Sequence, residues 1–106
     1  MVVEQQTGLD YGYLRVPVEL VNHDFLGLAE YFVIRDDIVE IKRYRYQWMD
    51  ATQTILRKRW DNAHHHPEMA NFPYHVHDGD EAHVVPGVAL QIVELIALLE
   101  DALDAV

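Results

Sequence analysis

Blocks of strand-forming residues alternate with short polar clusters along the first part of the chain. Residues 11–60 are rich in Tyr, Val, Ile, Leu and Trp, and polar clusters at 22–24, 36–37 and 50–52 interrupt them. Aromatic and β-branched residues favour strands, whereas Asn and Asp favour turns. The pattern predicts a four-stranded antiparallel meander with strands at 11–21, 25–35, 38–49 and 53–60. Because Pro17 lacks a backbone donor, we expect the first strand at a sheet edge.

A helical period appears near the C-terminus. Apolar residues at helical spacing form one stripe, made of Val88, Ile92, Leu95, Ile96, Leu99 and Leu103. Such a stripe is typical of an amphipathic helix that packs on a core, and Pro86 suits its first turn. We predict a helix over residues 86–104. Leu90, Val93 and Ala97 lie outside the stripe, so a homodimer formed through the helix is an open alternative.

The stretch between the meander and the helix has a different character. It begins DNAHHHPEMANFP, with two prolines and no periodicity, and then offers a short extended piece at 74–77. The sequence therefore predicts an α+β fold, with a four- to five-stranded antiparallel meander sheet covered by one C-terminal helix. We expect a single domain over residues 1–106, divided into the meander (11–60), a His-rich loop with a short strand (61–85) and the helix (86–104).

Composition limits the chemistry. The 106 residues include no cysteine, which excludes disulfides, thiolate zinc sites and thiol nucleophiles. Imidazole, carboxylate and guanidinium groups remain. The N-terminal sequence MVVEQQTGLD lacks the regions of a signal peptide, and no apolar run approaches the ~18 residues that cross a bilayer. We therefore expect a cytoplasmic protein that does not bind a membrane.

Charge is distributed unevenly. The net charge of −10 argues against general binding of nucleic acid, because phosphate contacts need surplus cations. However, residues 1–60 contain all 8 basic residues with 9 acidic ones, and residues 61–106 contain 9 acidic residues alone. A cationic site on an acidic body is therefore compatible with the sequence.

Four arginines are the candidate anion-binding residues. A three-residue loop between the last two predicted strands would pair Arg45 with Arg57 and Arg43 with Arg59, on one face of the sheet. Opposed like charges need nearby acids or a bound anion, and Glu30 is expected opposite Arg43. Guanidinium groups match phosphate and carboxylate geometry. An ordinary solvated face is the open alternative.

Six of the seven histidines fall within twenty residues. The candidate catalytic residues are His65, His66, His75, His77 and Glu68. His75 and His77 are two apart, so on an extended segment both point to one side, as an acid/base pair or two metal ligands require. With Asp78 they form a candidate site for a divalent metal, and Asp61 is a further carboxylate close in sequence. A structural role for the imidazoles also stays open.

These residues lie in a segment that resembles a known family. Arg43 to Gly79 contains RYRYQW, RWDNAHHHPE and FPYHVHDG in this order, and is similar to the TumE-like toxins of prokaryotic toxin–antitoxin pairs. The resemblance covers about a third of the chain. It implies a toxin with a cognate helix-turn-helix antitoxin, and it carries over no catalytic residues.

Three functions follow as hypotheses. The first is a ribonuclease-type toxin in which the arginines bind RNA phosphate and the histidines transfer protons, with no cofactor required. The second is a divalent-metal-binding protein or hydrolase built on the histidines. The third is a non-catalytic module that binds an antitoxin or a second copy of the chain.

Overall fold

The computed structural model describes residues 2–6 and 9–104, which form one antiparallel sheet and one helix. The elements are β1 (Val2–Gln6), β2 (Leu9–Glu19), β3 (Phe25–Arg35), β4 (Ile38–Met49), β5 (Leu56–Asp61), β6 (His75–Asp78), β7 (Val84–Pro86) and α1 (Ile92–Asp104). Each strand pairs with its neighbours in chain order. Over the described ranges, the chain has no helix with the length and apolar character needed to span a membrane.

The α+β class with one C-terminal helix is confirmed, but the prediction of four to five strands is wrong. Seven strands pair in order, from β1 to β7. The sequence missed β1 and β7, which have 5 and 3 residues and show little alternation. Beyond Tyr13, β1 no longer covers β2, so Pro17 lies at a locally open edge.

The hairpin between β3 and β4 follows the predicted turn. Asp36 and Asp37 both adopt left-handed backbone conformations, with φ of 52° and 62°, which suits a two-residue hairpin loop. Ile34 pairs with Val39 next to this turn, but an irregularity between Tyr31 and Phe32 shifts the register. Glu30 is consequently opposite Tyr44 instead of Arg43, and the expected neutralisation of Arg43 by Glu30 is wrong.

The predicted pairing of β4 with β5 is also wrong. The connecting loop is longer than three residues, because Asp50 accepts hydrogen bonds from the backbone N–H groups of Thr54 and Ile55, both at 2.8 Å. Strand β5 therefore starts at Leu56, and Gln47 pairs with Arg59. The four arginines do not form two directly opposed pairs.

The core lies between one face of the sheet and α1. Its buried residues are Leu26, Leu28, Tyr44, Tyr46, Leu90, Leu95 and Leu99, with Trp48 and Trp60 packed against them. Aromatic side chains of β4 and β5 thus line the face of the sheet under the helix. Tyr46 is fully buried and donates a 2.6 Å hydrogen bond from its hydroxyl to Oε2 of the buried Glu30.

The helix begins at Ile92, six residues later than predicted. Glu94 Oε1 accepts a hydrogen bond from the Gln91 backbone N–H at 3.1 Å, which caps the first turn. Residues before Ile92 are not helical, so the helical period does not describe them: Leu90 is buried in the core and Val88 is exposed. Ile96, a member of the predicted stripe, is also half exposed. The homodimer remains a prediction.

Asp24 gives a first testable prediction about stability. Its carboxylate is buried and accepts hydrogen bonds from Trp48 Nε1 at 2.9 Å and Arg57 Nε at 2.6 Å. Burial raises the pKa of Asp24, but the hydrogen bonds from Arg57 and Trp48 outweigh it and hold the pKa below its ordinary value. We expect Asp24→Asn to lower the free energy of unfolding at pH 7 by about 1–3 kcal/mol.

The pH dependence follows from the lowered pKa. The stabilisation by Asp24 is complete above its ordinary value of 3.8 and is lost as the pH falls through the folded-state pKa. Urea unfolding should therefore show that the wild type and Asp24→Asn converge in stability in strong acid. Glu40→Gln, at an exposed carboxylate, serves as the control. An equal loss in the control, or none in Asp24→Asn, would contradict the prediction.

Candidate functional site

The face of the sheet opposite α1 carries two rows of polar residues across β4, β5 and β6. Arg45 pairs with Asp61, which pairs with His75. In the next row, Gln47 pairs with Arg59, which pairs with His77. Since alternate residues of a strand share a face, the register brings arginine and histidine side chains together. The two clusters seen in the sequence therefore form one site.

Asp61 is at the centre of this site. Its Oδ1 lies 2.8 Å from His75 Nε2, and its Oδ2 lies 3.6 Å from His77 Nε2 and 3.5 Å from Arg59 Nε. All four side chains are buried, with His75 only 3% exposed. We call Asp61, His75 and His77 the Asp61 cluster.

Backbone carbonyls orient both imidazoles of the cluster. His75 Nδ1 lies 2.9 Å from the Pro73 carbonyl oxygen, and His77 Nδ1 lies 2.9 Å from that of Glu81. A carbonyl oxygen can only accept, so each Nδ1 carries the proton and each Nε2 faces Asp61. Burial lowers the pKa of His77, and the nearby positive charge of Arg59 lowers it further. The hydrogen bond between His77 and the Glu81 backbone carbonyl opposes this shift.

Close backbone packing also fixes the position of His75. A Cβ atom at Gly87 would approach the His75 backbone nitrogen to 3.1 Å and its Cα to 3.2 Å. The Gly87 N–H also donates to the Tyr74 carbonyl at 3.1 Å. The absence of a side chain at Gly87 thus lets the chain after β7 pass directly beside the cluster.

Arg59 links the cluster to the surface. Its Nη1 and Nη2 donate to the two carboxylate oxygens of Glu81 at 2.5 and 2.6 Å, and Nη1 also donates to Gln47 at 3.2 Å. The hydrogen bonds to Glu81 raise the pKa of Arg59, although burial opposes them. Glu81 itself is 66% exposed. The buried guanidinium of Arg59 is therefore bound by the solvent-exposed carboxylate of Glu81.

An open groove of about 550 Å³ runs from the Asp61 cluster across the same face. Its lining includes the arginines Arg15, Arg43, Arg45 and Arg59 and the tyrosines Tyr13 and Tyr31. The two tyrosine rings lie 5.0 Å apart between centroids, and Tyr13 is 48% exposed. We call this surface the arginine groove. It combines guanidinium groups with aromatic rings beside buried histidines.

The groove contains three of the four predicted arginines. Arg57 lies elsewhere, because its side chain binds Asp24. Arg15 takes its place and was missed by the sequence interpretation, which considered the hairpin of β4 and β5 alone. The pairing of β2 with β3, and of β3 with β4, would have placed Arg15 on the same face as Arg45 through Ala29.

The loop histidines lie near the cluster. His65 lines the arginine groove. The His66 ring lies 5.5 Å from that of His75 and 6.3 Å from that of His77, and its Nδ1 lies 3.5 Å from Glu68 Oε1. The loop after β5 therefore folds back over the cluster and brings the predicted catalytic residues into one neighbourhood.

The structure does not place Asp78 with the two histidines. Asp78 pairs with Lys58 across β5 and β6, and its Oδ1 lies 3.9 Å from Lys58 Nζ. Asp61 occupies the position beside His75 and His77. Each of the three residues offers one ligand atom, and these atoms lie within 4.8 Å of one another. Asp61 is thus the carboxylate that can share a metal ion with the histidines.

Comparisons with known proteins bear on the whole chain. A family model described as Toxin TumE matches residues 1–106. The matched region includes the Asp61 cluster, the arginine groove and the loop histidines. Comparisons with curated proteins and with solved structures found no match.

Proposed function

The chain belongs to the TumE toxin family, and we propose that it acts by cleaving single-stranded RNA in the arginine groove. The observation that carries the proposal is the position of the groove, which ends at Arg59 and the Asp61 cluster. Toxin activity requires a cellular target, and a groove with four arginines favours an anionic one. A cognate antitoxin of the helix-turn-helix type is part of the same proposal.

The chemistry of the lining favours RNA over other anions. Guanidinium groups bind phosphate oxygens through paired hydrogen bonds. Aromatic rings such as the exposed Tyr13 and the partly buried Tyr31 are surfaces on which unpaired bases stack, at about 1–3 kcal/mol per base. Because both kinds of residue follow one groove, a single strand is the ligand that uses them together. Asp61 and Glu81 neutralise Arg59, so the positive charge of the groove comes from Arg15, Arg43 and Arg45.

Proton transfer is assigned to the loop histidines in this proposal. The RNA 2′-hydroxyl attacks the adjacent phosphorus, which forms a P–O2′ bond and breaks the P–O5′ bond. One imidazole accepts the 2′-hydroxyl proton, and the other donates a proton to the leaving 5′ oxygen. His65 and His66 are the candidates, because His65 lines the groove and the His66 ring lies 6.4 Å from the His65 ring. Glu68, near His66 Nδ1, is positioned to orient that ring.

Cleavage of RNA by the purified chain tests the proposal. Single-stranded RNA and DNA of one sequence should be incubated with the protein, in parallel with added divalent metal and with EDTA. We expect cleavage of the RNA alone, with 2′,3′-cyclic phosphate ends. His66→Gln should slow it by about 10²–10⁴-fold, the range for a lost general acid or base.

The matched control is His64→Gln, which changes an exposed histidine of the same run. It should cleave at the wild-type rate and inhibit growth as strongly when expressed without an antitoxin. Intact RNA in both buffers, or equal rates for His66→Gln and wild type, would refute the assignment.

A further inference from the structure

We propose that Asp61, His75 and His77 bind one divalent first-row transition-metal ion. The inference goes beyond the proposed function, since metal binding is measurable without RNA. Three buried side chains from two adjacent strands direct one potential ligand atom each to a common point. The register that pairs Asp61 with His75 and Arg59 with His77 sets this arrangement.

The protonation of the imidazoles leaves the cluster without a donor. Each Nδ1 uses its proton on a backbone carbonyl, so in the neutral ring Nε2 presents a lone pair. Asp61 also presents only acceptor oxygens. Two acceptor atoms, His75 Nε2 and Asp61 Oδ1, thus face each other at 2.8 Å in a buried place. Such a contact is unfavourable unless a cation binds beside both atoms.

A proton on His75 does not satisfy this requirement. Although Asp61 Oδ1 lies 2.8 Å away, His75 Nε2 has no hydrogen-bond partner of acceptable geometry. A nitrogen that is 3% exposed and unsatisfied is costly to bury. A metal ion shared with Asp61 and His77 accounts for its orientation.

The donor set selects the class of ion. Two imidazole nitrogens and one carboxylate oxygen suit zinc and its first-row neighbours, whereas magnesium and calcium prefer oxygen ligands. The hydrogen bonds from Nδ1 to the carbonyls of Pro73 and Glu81 are the outer contacts that metal-binding histidines usually make. Three protein ligands are the number typical of catalytic zinc sites, which keep a further position for water or substrate.

Local charge links this site to the groove. Arg59 is closely paired with the carboxylates of Asp61 and Glu81, so these three groups together are net negative. A divalent ion in the cluster reverses the sign. The charge reversal would let this end of the groove accept a phosphate, and this consequence, unlike the metal site itself, rests on the proposed function.

Metal titration of the full-length chain tests the site. The protein should be stripped with EDTA, exchanged into metal-free buffer and titrated with zinc by calorimetry and with cobalt by visible absorption. We expect one equivalent of each ion to bind. In ¹⁵N spectra, zinc should shift the Nε2 resonances of two histidines while their Nδ1 stays protonated.

Two variants locate the site. Asp61→Asn and His75→Gln should bind zinc at least about 10-fold more weakly, the lower end of the effect of changing metal ligands and their supports. His64→Gln should bind like the wild type, which separates the cluster from the exposed histidine run. Circular dichroism checks folding, and the ¹⁵N measurement on the wild type stands if a variant misfolds. No zinc binding by the folded wild type, or loss of binding in His64→Gln alone, would overturn the inference.

Discussion

Arg59→Ala is expected to reduce RNA cleavage by about 10²–10³-fold, the effect of removing one donor that stabilises charge in a transition state. Arg59 is the arginine of the groove nearest the Asp61 cluster, and it is buried with its fork against Glu81. Because Glu81 already fixes the orientation of this guanidinium, neither the side chain nor the surrounding water has to rearrange when the transition state forms. Cleavage rates under single-turnover conditions are the measurement.

Arg59→Lys distinguishes the effect of the positive charge from that of the planar, two-pronged guanidinium group. An ammonium group retains the positive charge beside Asp61 but cannot donate to both oxygens of one partner in a fixed plane. We expect Arg59→Lys to fold like the wild type and to remain at least about 10-fold slower. Arg35→Ala, at an exposed arginine at the end of β3, is the control and should cleave normally. Full activity in Arg59→Lys would show that the fork has no role, and full activity in Arg59→Ala would remove Arg59 from the site.

The strand register explains why the site could be predicted only in part. The spacing of His75 and His77 correctly placed them on one face of a strand, because a two-residue period needs no knowledge of neighbours. The choice of Asp78 as their carboxylate used nearness in sequence. The carboxylate observed beside them, Asp61, lies on β5. A long loop separates β5 from β6, so the sequence does not show which residues of these two strands are paired.

The arginines show the same limit in another way. A turn at Asp36 and Asp37 was predictable because both residues tolerate left-handed backbone, and the structure has it. The loop after β4 was not, since the Asp50 side chain binds two backbone N–H groups and lengthens it. With this longer loop, the Arg57 side chain binds Asp24 and does not line the groove. Arg15, on β2, lines the groove instead.

Net charge describes the body of this molecule and not its site. The −10 of the chain includes nine acidic residues after Trp60, yet two of these, Asp61 and Glu81, belong to the site itself. They neutralise Arg59 in the free protein. An anionic substrate therefore has to compete with Glu81 or rely on an added cation, and the salt dependence of RNA binding should reflect the few exposed arginines.

Leu95→Ala is expected to give the largest loss of stability, about 2–5 kcal/mol in the free energy of unfolding. Leu95 is fully buried between α1 and the sheet, in the same core as Tyr46 and Leu99. Removing its side chain loses apolar burial and leaves a cavity that neighbouring strands cannot close, because they are fixed by pairing on both sides. Urea unfolding followed by tryptophan fluorescence measures the change.

Val93→Ala is the matched control, since Val93 lies on the same helix and is 76% exposed. It should change stability by no more than about 0.5 kcal/mol. The core and the Asp61 cluster occupy opposite faces of one sheet, so folded Leu95→Ala should still bind zinc with the wild-type stoichiometry. A small effect of Leu95→Ala would mean that α1 contributes little to the fold. Loss of zinc binding by folded Leu95→Ala would instead mean that the helix holds the strands in the register that the cluster requires.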